Sequence, residues 1–122
     1  MSGNTDYFNI NLHLSEEQRL IQMATRDWVN KFVKPIIEEH FQKEETPTDL
    51  IKELSEIGAF GLILPQEYGG IGADFISFGL MMQELERGDS SVRVISSIQT
   101  SLVMYAIYKF GSEEQRKKYL PK

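Results

Sequence analysis

Two capping boxes near opposite ends of the chain place the strongest constraint on its fold. Residues 15–18 and residues 112–115 both read Ser-Glu-Glu-Gln. In this motif the serine hydroxyl and the glutamine side chain each satisfy a backbone N–H that a helix start leaves free, so each box predicts a helix. Alternation of apolar and polar residues typical of a strand is sustained nowhere in the sequence. The sequence therefore predicts an all-α fold, an antiparallel helical bundle.

Helix start and stop signals divide the rest of the chain. Residues 1–13 show no sustained period, and we expect an extended lead-in to one helical domain over residues 14–122. The predicted helices start at Ser15, near Thr46, at Asp74, at Asp89–Ser90 and at Ser112, and breakers such as Pro35, Gly58 and Gly111 interrupt or end them. Spacing predicts two buried stripes: Leu20, Ala24, Trp28 and Phe32 on the first helix, and Phe75, Phe78, Met82 and Leu85 on the third.

The composition excludes several classes of function. Lys and Arg number 13 against 18 Asp and Glu, a net charge of -5, and the basic residues are scattered, so nucleic acid is not an expected partner. The chain has no cysteine, which excludes disulfides and thiolate sites, and we predict no metal site. A targeting pattern is not visible, and the longest uncharged stretch is too short and too polar for a bilayer span. We therefore expect a cytoplasmic protein without a membrane partner.

The fourth helix, over residues 91–110, has an unusual distribution of polar side chains. Its only charge between Ser90 and Tyr108 is Arg93. At 100° per residue the apolar residues form one side, which is the predicted core face, and small polar residues lie near Arg93 on the other. The core face comprises Val94, Ile95, Ile98, Leu102, Tyr105 and Ala106, and the residues within about 40° of Arg93 are Ser97, Thr100 and Met104.

Two interpretations of Arg93 follow from this pattern. A partly buried guanidinium needs an anionic partner, and Ser97, one turn further on, can donate to the same anion, so the pair suits the acidic end of a narrow apolar ligand pocket. In the alternative, Arg93 pairs with a structural Asp or Glu and the serines only allow close helix contact. Spacing alone favours this alternative, because ion pairs are the commoner fate of a partly buried arginine.

Three blocks of sequence, in order, resemble the amino-terminal domain of acyl-CoA dehydrogenases. They are residues 64–72 (LPQEYGGIG), 83–90 (QELERGDS) and 111–121 (GSEEQRKKYLP), and the similarity spans nearly the whole chain from Leu14. Within that family, Arg93 with Ser97 resembles the glutaryl-CoA dehydrogenase branch, where the matching Arg and Ser contact the distal carboxylate of the acyl chain. The predicted substrate-binding residues are therefore Arg93, Val94, Ser97 and Thr100. Ser91, Val94 and Tyr105 depart from the branch's usual residues, which leaves the preferred chain length open.

The resemblance also implies what lies outside this sequence. Such enzymes oxidise the Cα–Cβ bond of an acyl-CoA, with or without decarboxylation of a short dicarboxylyl-CoA. FAD is held mainly by a middle β-domain and a carboxy-terminal helical domain, which also carries the catalytic base. We therefore expect no catalytic residue in this chain and no activity from it alone. The implied partners are the acyl-CoA substrate, the remaining domains of the polypeptide, an electron-transfer flavoprotein and further subunits of a homotetramer.

Two other functions remain open at this point. The chain can be a freestanding helical module that binds a partner without catalysis, or it can belong to an acyl-CoA oxidase, in which the reduced flavin meets oxygen directly.

Overall fold

The computed structural model describes residues 7–121, and within that range the chain contains helices and turns but no strand. The predicted all-α fold is confirmed. The α-helices are α1 (Glu16–Trp28), α2 (Ile37–Gln42), α3 (Ile51–Glu56), α4 (Phe75–Gly88), α5 (Ser90–Ser97), α6 (Tyr105–Phe110) and α7 (Glu113–Tyr119). A π-helical turn, Val29–Val33, extends α1, and a second, Ile98–Met104, joins α5 to α6. Short 3-10 turns form at Ile10–His13, Thr48–Leu50 and Gln66–Tyr68. None of the helices in the described range has the length and apolar character needed to cross a bilayer.

Both capping boxes form as the sequence predicts. The Gln18 amide N–H donates to Ser15 Oγ at 3.2 Å, and the Ser15 N–H donates to Gln18 Oε1 at 2.9 Å. The corresponding distances between Ser112 and Gln115 are 3.2 and 2.8 Å. These bonds satisfy donors that helix starts leave free, which explains why α1 and α7 begin where they do.

The lead-in differs from its prediction where the structure describes it. The part of the predicted extended segment that covers residues 1–6 lies outside the described residues. Ile10–His13 forms a 3-10 turn instead of extended chain, and its side chains are exposed. The Leu12 N–H donates to the Asn9 carbonyl at 2.8 Å, so local hydrogen bonding helps to stabilise this turn.

The helices are amphipathic, but each of the two predicted stripes includes at least one residue that is exposed. On α1 the buried face carries Gln18, Thr25 and Trp28, whereas Leu20 is 59% exposed. On α4, Leu85 is buried as predicted and Phe75 is 63% exposed. The predictions for Leu20 and Phe75 are wrong because spacing gives the angle between side chains without giving the side on which the neighbouring helix lies.

Helices α1 and α4 run side by side in the same direction. Their first turns meet where Gln18 Nε2 donates to Asp74 Oδ2 at 2.6 Å, and their later turns meet at the Arg26–Glu84 ion pair at 2.6 Å. The antiparallel arrangement expected from the sequence therefore does not hold for this pair. The long connection over residues 34–74 returns the chain to the start of α1, which makes the parallel packing possible.

Two buried clusters form the interior of the described chain. The larger one lies between α1, α3, α4 and α5, and the smaller one lies where the loop after α3 meets α6 and α7. The larger cluster contains Trp28, Val29, Val33, Leu50, Leu54, Ala59, Leu62, Met81, Leu85 and Val92, and the smaller contains Leu64, Tyr68, Met104 and Leu120. Both clusters use the loop over residues 57–72, so this loop is part of the core.

The tight turn at Gly70 gives a stability prediction. A Cβ at this position would stand 2.0 Å from the buried Leu64 carbonyl oxygen, so Gly70→Ala must displace backbone. We expect a loss of about 2 kcal/mol in the free energy of unfolding, measured by urea denaturation. Gly79, inside α4, is the matched control because an added Cβ would meet nothing within 4 Å. Gly79→Ala should gain about 0.5–1 kcal/mol. Equal effects at the two positions would contradict the packing described for Gly70.

Candidate functional site

The helix that carries the predicted site begins at a well-formed cap. Asp89 accepts hydrogen bonds from the Ser91 and Val92 backbone N–H groups at 2.9 and 3.1 Å. From this cap α5, the π-helical turn and α6 continue to Phe110, so the predicted long fourth helix is confirmed in extent.

The inward face of this helix is the opposite of the one predicted. The side chains that face the core are Val92, Ser96, Thr100 and Met104, all of them buried. Two members of the predicted core face, Ile98 and Leu102, are instead 45% and 68% exposed. The reason is chemical: the helix packs on a loop whose backbone needs hydrogen-bond partners, which apolar side chains cannot provide. The hydroxyl side therefore faces inward, and much of the apolar side stays open.

Thr100 is one of these inward-facing hydroxyls, which corrects its predicted contact with substrate. Its Oγ1 donates to the Ala59 carbonyl at 3.0 Å and accepts from the Gly61 N–H at 3.2 Å. The residue is fully buried. Since a hydroxyl has one hydrogen to donate and here donates it to the loop, Thr100 holds structure and does not face a ligand.

Arg93 and Ser97 do lie together, as the one-turn spacing predicts. Arg93 Nη1 is 3.4 Å from Ser97 Oγ. The Arg93 Nε, however, donates to Glu86 Oε2 at 2.6 Å. The inference that Arg93 needs an anion from outside the chain is therefore wrong, and the alternative interpretation, a carboxylate partner within the same bundle, is what the structure contains.

The Arg93–Glu86 pair leaves part of the guanidinium available. The Arg93 side chain is 33% exposed and the Glu86 side chain 46% exposed, so water reaches both groups. The hydrogen bond from Arg93, followed by the one from Ser90, holds the pKa of Glu86 below its ordinary value. Only Nε is committed to Glu86, and Nη2 has no acceptor within residues 7–121. The Nη edge beside Ser97 can thus receive a second carboxylate.

An open cleft lies along the same helix, and Arg93 and Ser97 are not among the residues that line it. Its volume is about 930 Å³, and it runs between α3, the loop at Gly69–Ile71 and α5. The apolar side chains that line it are Ile51, Ile57, Phe60, Ile71, Val94, Ile95, Ile98, Met104, Leu120 and Pro121. Val94, which follows Arg93 in the chain, is the predicted site residue that lines the cleft. The cleft suits an apolar ligand, and Arg93 immediately precedes its lining residue Val94 in the chain.

A second charged group, Glu84, was not predicted from the sequence. Its side chain is 1% exposed and accepts from Arg26 Nε at 3.1 Å, Arg26 Nη2 at 2.6 Å and Arg87 Nε at 2.8 Å. Burial acts to raise the pKa of Glu84, but the hydrogen bonds from the two arginines outweigh it and keep that pKa below its ordinary value. The sequence signal was the Glu84–Arg87 spacing of three, which places both on one side of α4. Because the triad of Arg26, Glu84 and Arg87 joins α1 to α4, we infer that it stabilises the packing of these two helices.

Comparison with known proteins gives consistent matches over this range. The family model described as acyl-CoA dehydrogenase, N-terminal domain, matches residues 15–122. An acyl-CoA dehydrogenase of Bacillus subtilis is 37% identical over 90% of this chain and 29% of its own length. Glutaryl-CoA dehydrogenase of Desulfococcus multivorans is 34% identical over 93% of this chain and 30% of its own. The crystal structure of a glutaryl-CoA dehydrogenase from Mycobacterium smegmatis in complex with FADH2 superposes with a TM-score of 0.87, at 38% identity, over 93% of this chain and 29% of that one. The chain thus spans less than a third of the length of these relatives.

Proposed function

The chain belongs to the acyl-CoA dehydrogenase family, whose amino-terminal domain it matches, and on that premise we propose that it forms one wall of the acyl pocket in an FAD-dependent dehydrogenase for a short dicarboxylyl-CoA. The observation that carries this proposal is the position of the Arg93 Nη edge and the Ser97 hydroxyl, 3.4 Å apart, on the helix whose Val94 and Ile98 line an open apolar cleft. A dicarboxylyl chain has the matching chemistry, an apolar body with a carboxylate at its end.

Each group of the site has a distinct part in the proposed binding. The cleft walls, Val94 and Ile98 among them, pack against the methylene groups of the acyl chain. Arg93 keeps its Nε on Glu86 and presents the Nη edge to the distal carboxylate. The Ser97 hydroxyl, which donates to the Val94 carbonyl at 3.2 Å, turns from that carbonyl to donate a further hydrogen bond to the carboxylate. Glu86 then fixes the direction of the guanidinium, so its ion pair with Arg93 is compatible with substrate binding.

FAD belongs to the proposal as the acceptor of the two electrons removed from the Cα–Cβ bond. The cleft itself does not suit this cofactor, because its lining contains the carboxylate of Glu56 and no cation that could offset a diphosphate. We therefore assign FAD to other domains of the polypeptide, and the catalytic base with it. The described residues contribute substrate orientation. An electron-transfer flavoprotein as acceptor and a homotetrameric assembly remain predictions.

Exposed apolar side chains argue against a freestanding binding module. Leu102 is 68% exposed, Phe75 63% and Phe110 90%. Large apolar side chains left open in this number are typical of surfaces covered by a neighbouring domain or subunit. In this proposal, the remaining domains of the dehydrogenase cover these exposed apolar side chains.

The proposal is tested with the polypeptide that joins this domain to the flavin-binding domains. Anaerobic mixing with glutaryl-CoA should bleach the flavin absorbance, with a larger second-order rate constant for flavin reduction than butyryl-CoA gives. Bleaching by butyryl-CoA alone would remove the dicarboxylyl substrate from the proposal. Rapid reoxidation of the reduced flavin by oxygen without another acceptor would instead favour the oxidase, and release of carbon dioxide from glutaryl-CoA would establish decarboxylation.

A further inference from the structure

Two fully buried hydroxyls on α5 and the following π-helical turn hold the same carbonyl oxygen. Ser96 Oγ donates to the Ala59 oxygen at 2.7 Å, and Thr100 Oγ1 donates to it at 3.0 Å. Thr100 Oγ1 also accepts from the Gly61 N–H. These bonds satisfy backbone groups of a buried loop and fix the rotation of the helix relative to that loop.

The π-helical turn keeps side chains at a spacing of four residues on the same side of the helix. In an α-helix of 3.6 residues per turn, positions four residues apart drift by about 40° at each step. Val92, Ser96, Thr100 and Met104 follow this spacing, yet all four remain buried. The wider i to i+5 hydrogen bonding of the π-helical turn offsets the drift, so Thr100 and Met104 still face the loop. Such turns are frequent at functional sites.

The proposed carboxylate-binding residues are adjacent in sequence to these anchors. Arg93 follows the buried Val92, and Ser97 lies between Ser96 and the π-helical turn. The Ser97 carbonyl accepts from Ser101 Oγ at 2.5 Å, so a side chain also supports the backbone at this junction. A change in rotation at Ser96 or Thr100 would therefore turn Arg93 and Ser97 with it.

We propose that Ser96 and Thr100 are positioning residues, which clamp the Ala59–Gly61 loop and thereby aim Arg93 and Ser97 at the distal carboxylate of the substrate. This inference rests on the proposed function. It assigns to Thr100 an indirect effect on specificity in place of the direct contact that the sequence suggested.

Thr25 provides a matched control for a purely structural buried threonine. It is 1% exposed and lies on α1, and its hydroxyl donates to the Ile21 carbonyl of its own helix at 2.8 Å. Thr25→Val and Thr100→Val delete the same hydroxyl at equal burial. Only Thr100→Val removes hydrogen bonds between the helix that carries Arg93 and the Ala59–Gly61 loop.

The first readout is substrate discrimination by the FAD-loaded polypeptide. Thr100→Val is expected to lower the ratio of kcat/KM for glutaryl-CoA to that for butyryl-CoA by about tenfold, because small displacements of binding groups are costly. Thr100→Ser, which keeps the hydroxyl, should restore the ratio to within about twofold of wild type. Thr25→Val should leave the ratio unchanged. A ratio that Thr100→Val leaves unchanged, or that Thr25→Val lowers equally, would overturn the proposal.

The second readout uses the 122-residue chain and does not depend on activity. Thr100→Val should shift the ¹⁵N NMR signals of the Arg93 Nε–H and of the amides of residues 93–97, and Thr25→Val should not. If Thr100→Val does not fold, Ser96→Ala tests the same clamp by the same measurement. Unchanged Arg93 signals would contradict the clamp itself, whereas shifted signals together with an Arg93→Ala variant of unaltered specificity would retain the clamp and refute the proposed substrate.

Discussion

Arg93→Ala is expected to lower kcat/KM for glutaryl-CoA by about 100-fold and kcat/KM for butyryl-CoA by less than about threefold. A charge-assisted hydrogen bond to a carboxylate contributes about 1.5–3 kcal/mol, and each 1.4 kcal/mol corresponds to a factor of ten. Butyryl-CoA ends in a methyl group and cannot use the guanidinium. Steady-state kinetics on the FAD-loaded polypeptide with both thioesters measures the effect.

Two further variants separate substrate binding from the ion pair with Glu86. Arg93→Lys keeps the positive charge but lacks the planar, paired N–H donors of the guanidinium. It should therefore recover only part of the kcat/KM for glutaryl-CoA. Glu86→Gln removes the charge of the internal partner but leaves the Nη edge in place, and its loss on glutaryl-CoA should be much smaller than that of Arg93→Ala. If Arg93→Ala lowers kcat/KM for both thioesters equally, the residue has no part in specificity.

Glu84→Ala is expected to lower the free energy of unfolding by about 3 kcal/mol at pH 7. The buried carboxylate accepts three hydrogen bonds from two arginines and joins α1 to α4. Removing one member of a buried charge cluster typically costs about 3–5 kcal/mol, and the lower end applies because the arginines that remain can regain water. Urea unfolding of the chain measures the difference, and a change within error of zero would contradict the assigned role.

The acid dependence of stability gives a second test of Glu84. Its pKa is lower in the folded chain than in the unfolded one, so its contribution is complete above the unfolded value of about 4.3 and is lost as the pH falls through the folded value. The difference between wild type and Glu84→Gln should therefore be constant near neutral pH and shrink in acid. Glu86→Gln, on the same helix with a half-exposed side chain, is the matched control and should leave the urea midpoint nearly unchanged.

Local signals predicted the helix boundaries well because each depends on hydrogen bonds or backbone angles within a few adjacent residues. The serine and glutamine of each capping box bond to each other's backbone, and Gly58 takes the left-handed conformation (φ 74°) expected after α3. Pro35 interrupts the chain between the π-helical turn that extends α1 and the start of α2, also as predicted. None of these features requires knowledge of a distant partner.

The buried faces could not be predicted in the same way. Apolar periodicity places Ile98 and Leu102 on one side of the fourth helix, and an apolar side is ordinarily the core side. The structure buries Ser96 and Thr100 instead, because the loop beneath them presents the Ala59 carbonyl, which needs donors. A hydrogen-bonding requirement of a distant loop does not appear in the periodicity of a helix.

The pairing of Arg93 with Glu86 could not be predicted from the sequence for a related reason. Glu86 lies seven residues upstream, in the last turns of α4, and α5 begins only after the extended residue Asp89. The change in chain direction at Asp89 brings the two side chains together, and no helical spacing rule connects them. The sequence did place Arg93 and Ser97 correctly with respect to each other, because both belong to one regular helix.

The most direct test of the central claim is a crystal structure of the FAD-loaded polypeptide with a non-oxidisable glutaryl-CoA analogue bound. We expect the distal carboxylate about 3 Å from the Arg93 Nη atoms and from Ser97 Oγ, with the Arg93 Nε still on Glu86. A carboxylate bound elsewhere, with Arg93 contacting only Glu86 and Ser97, would contradict the claim.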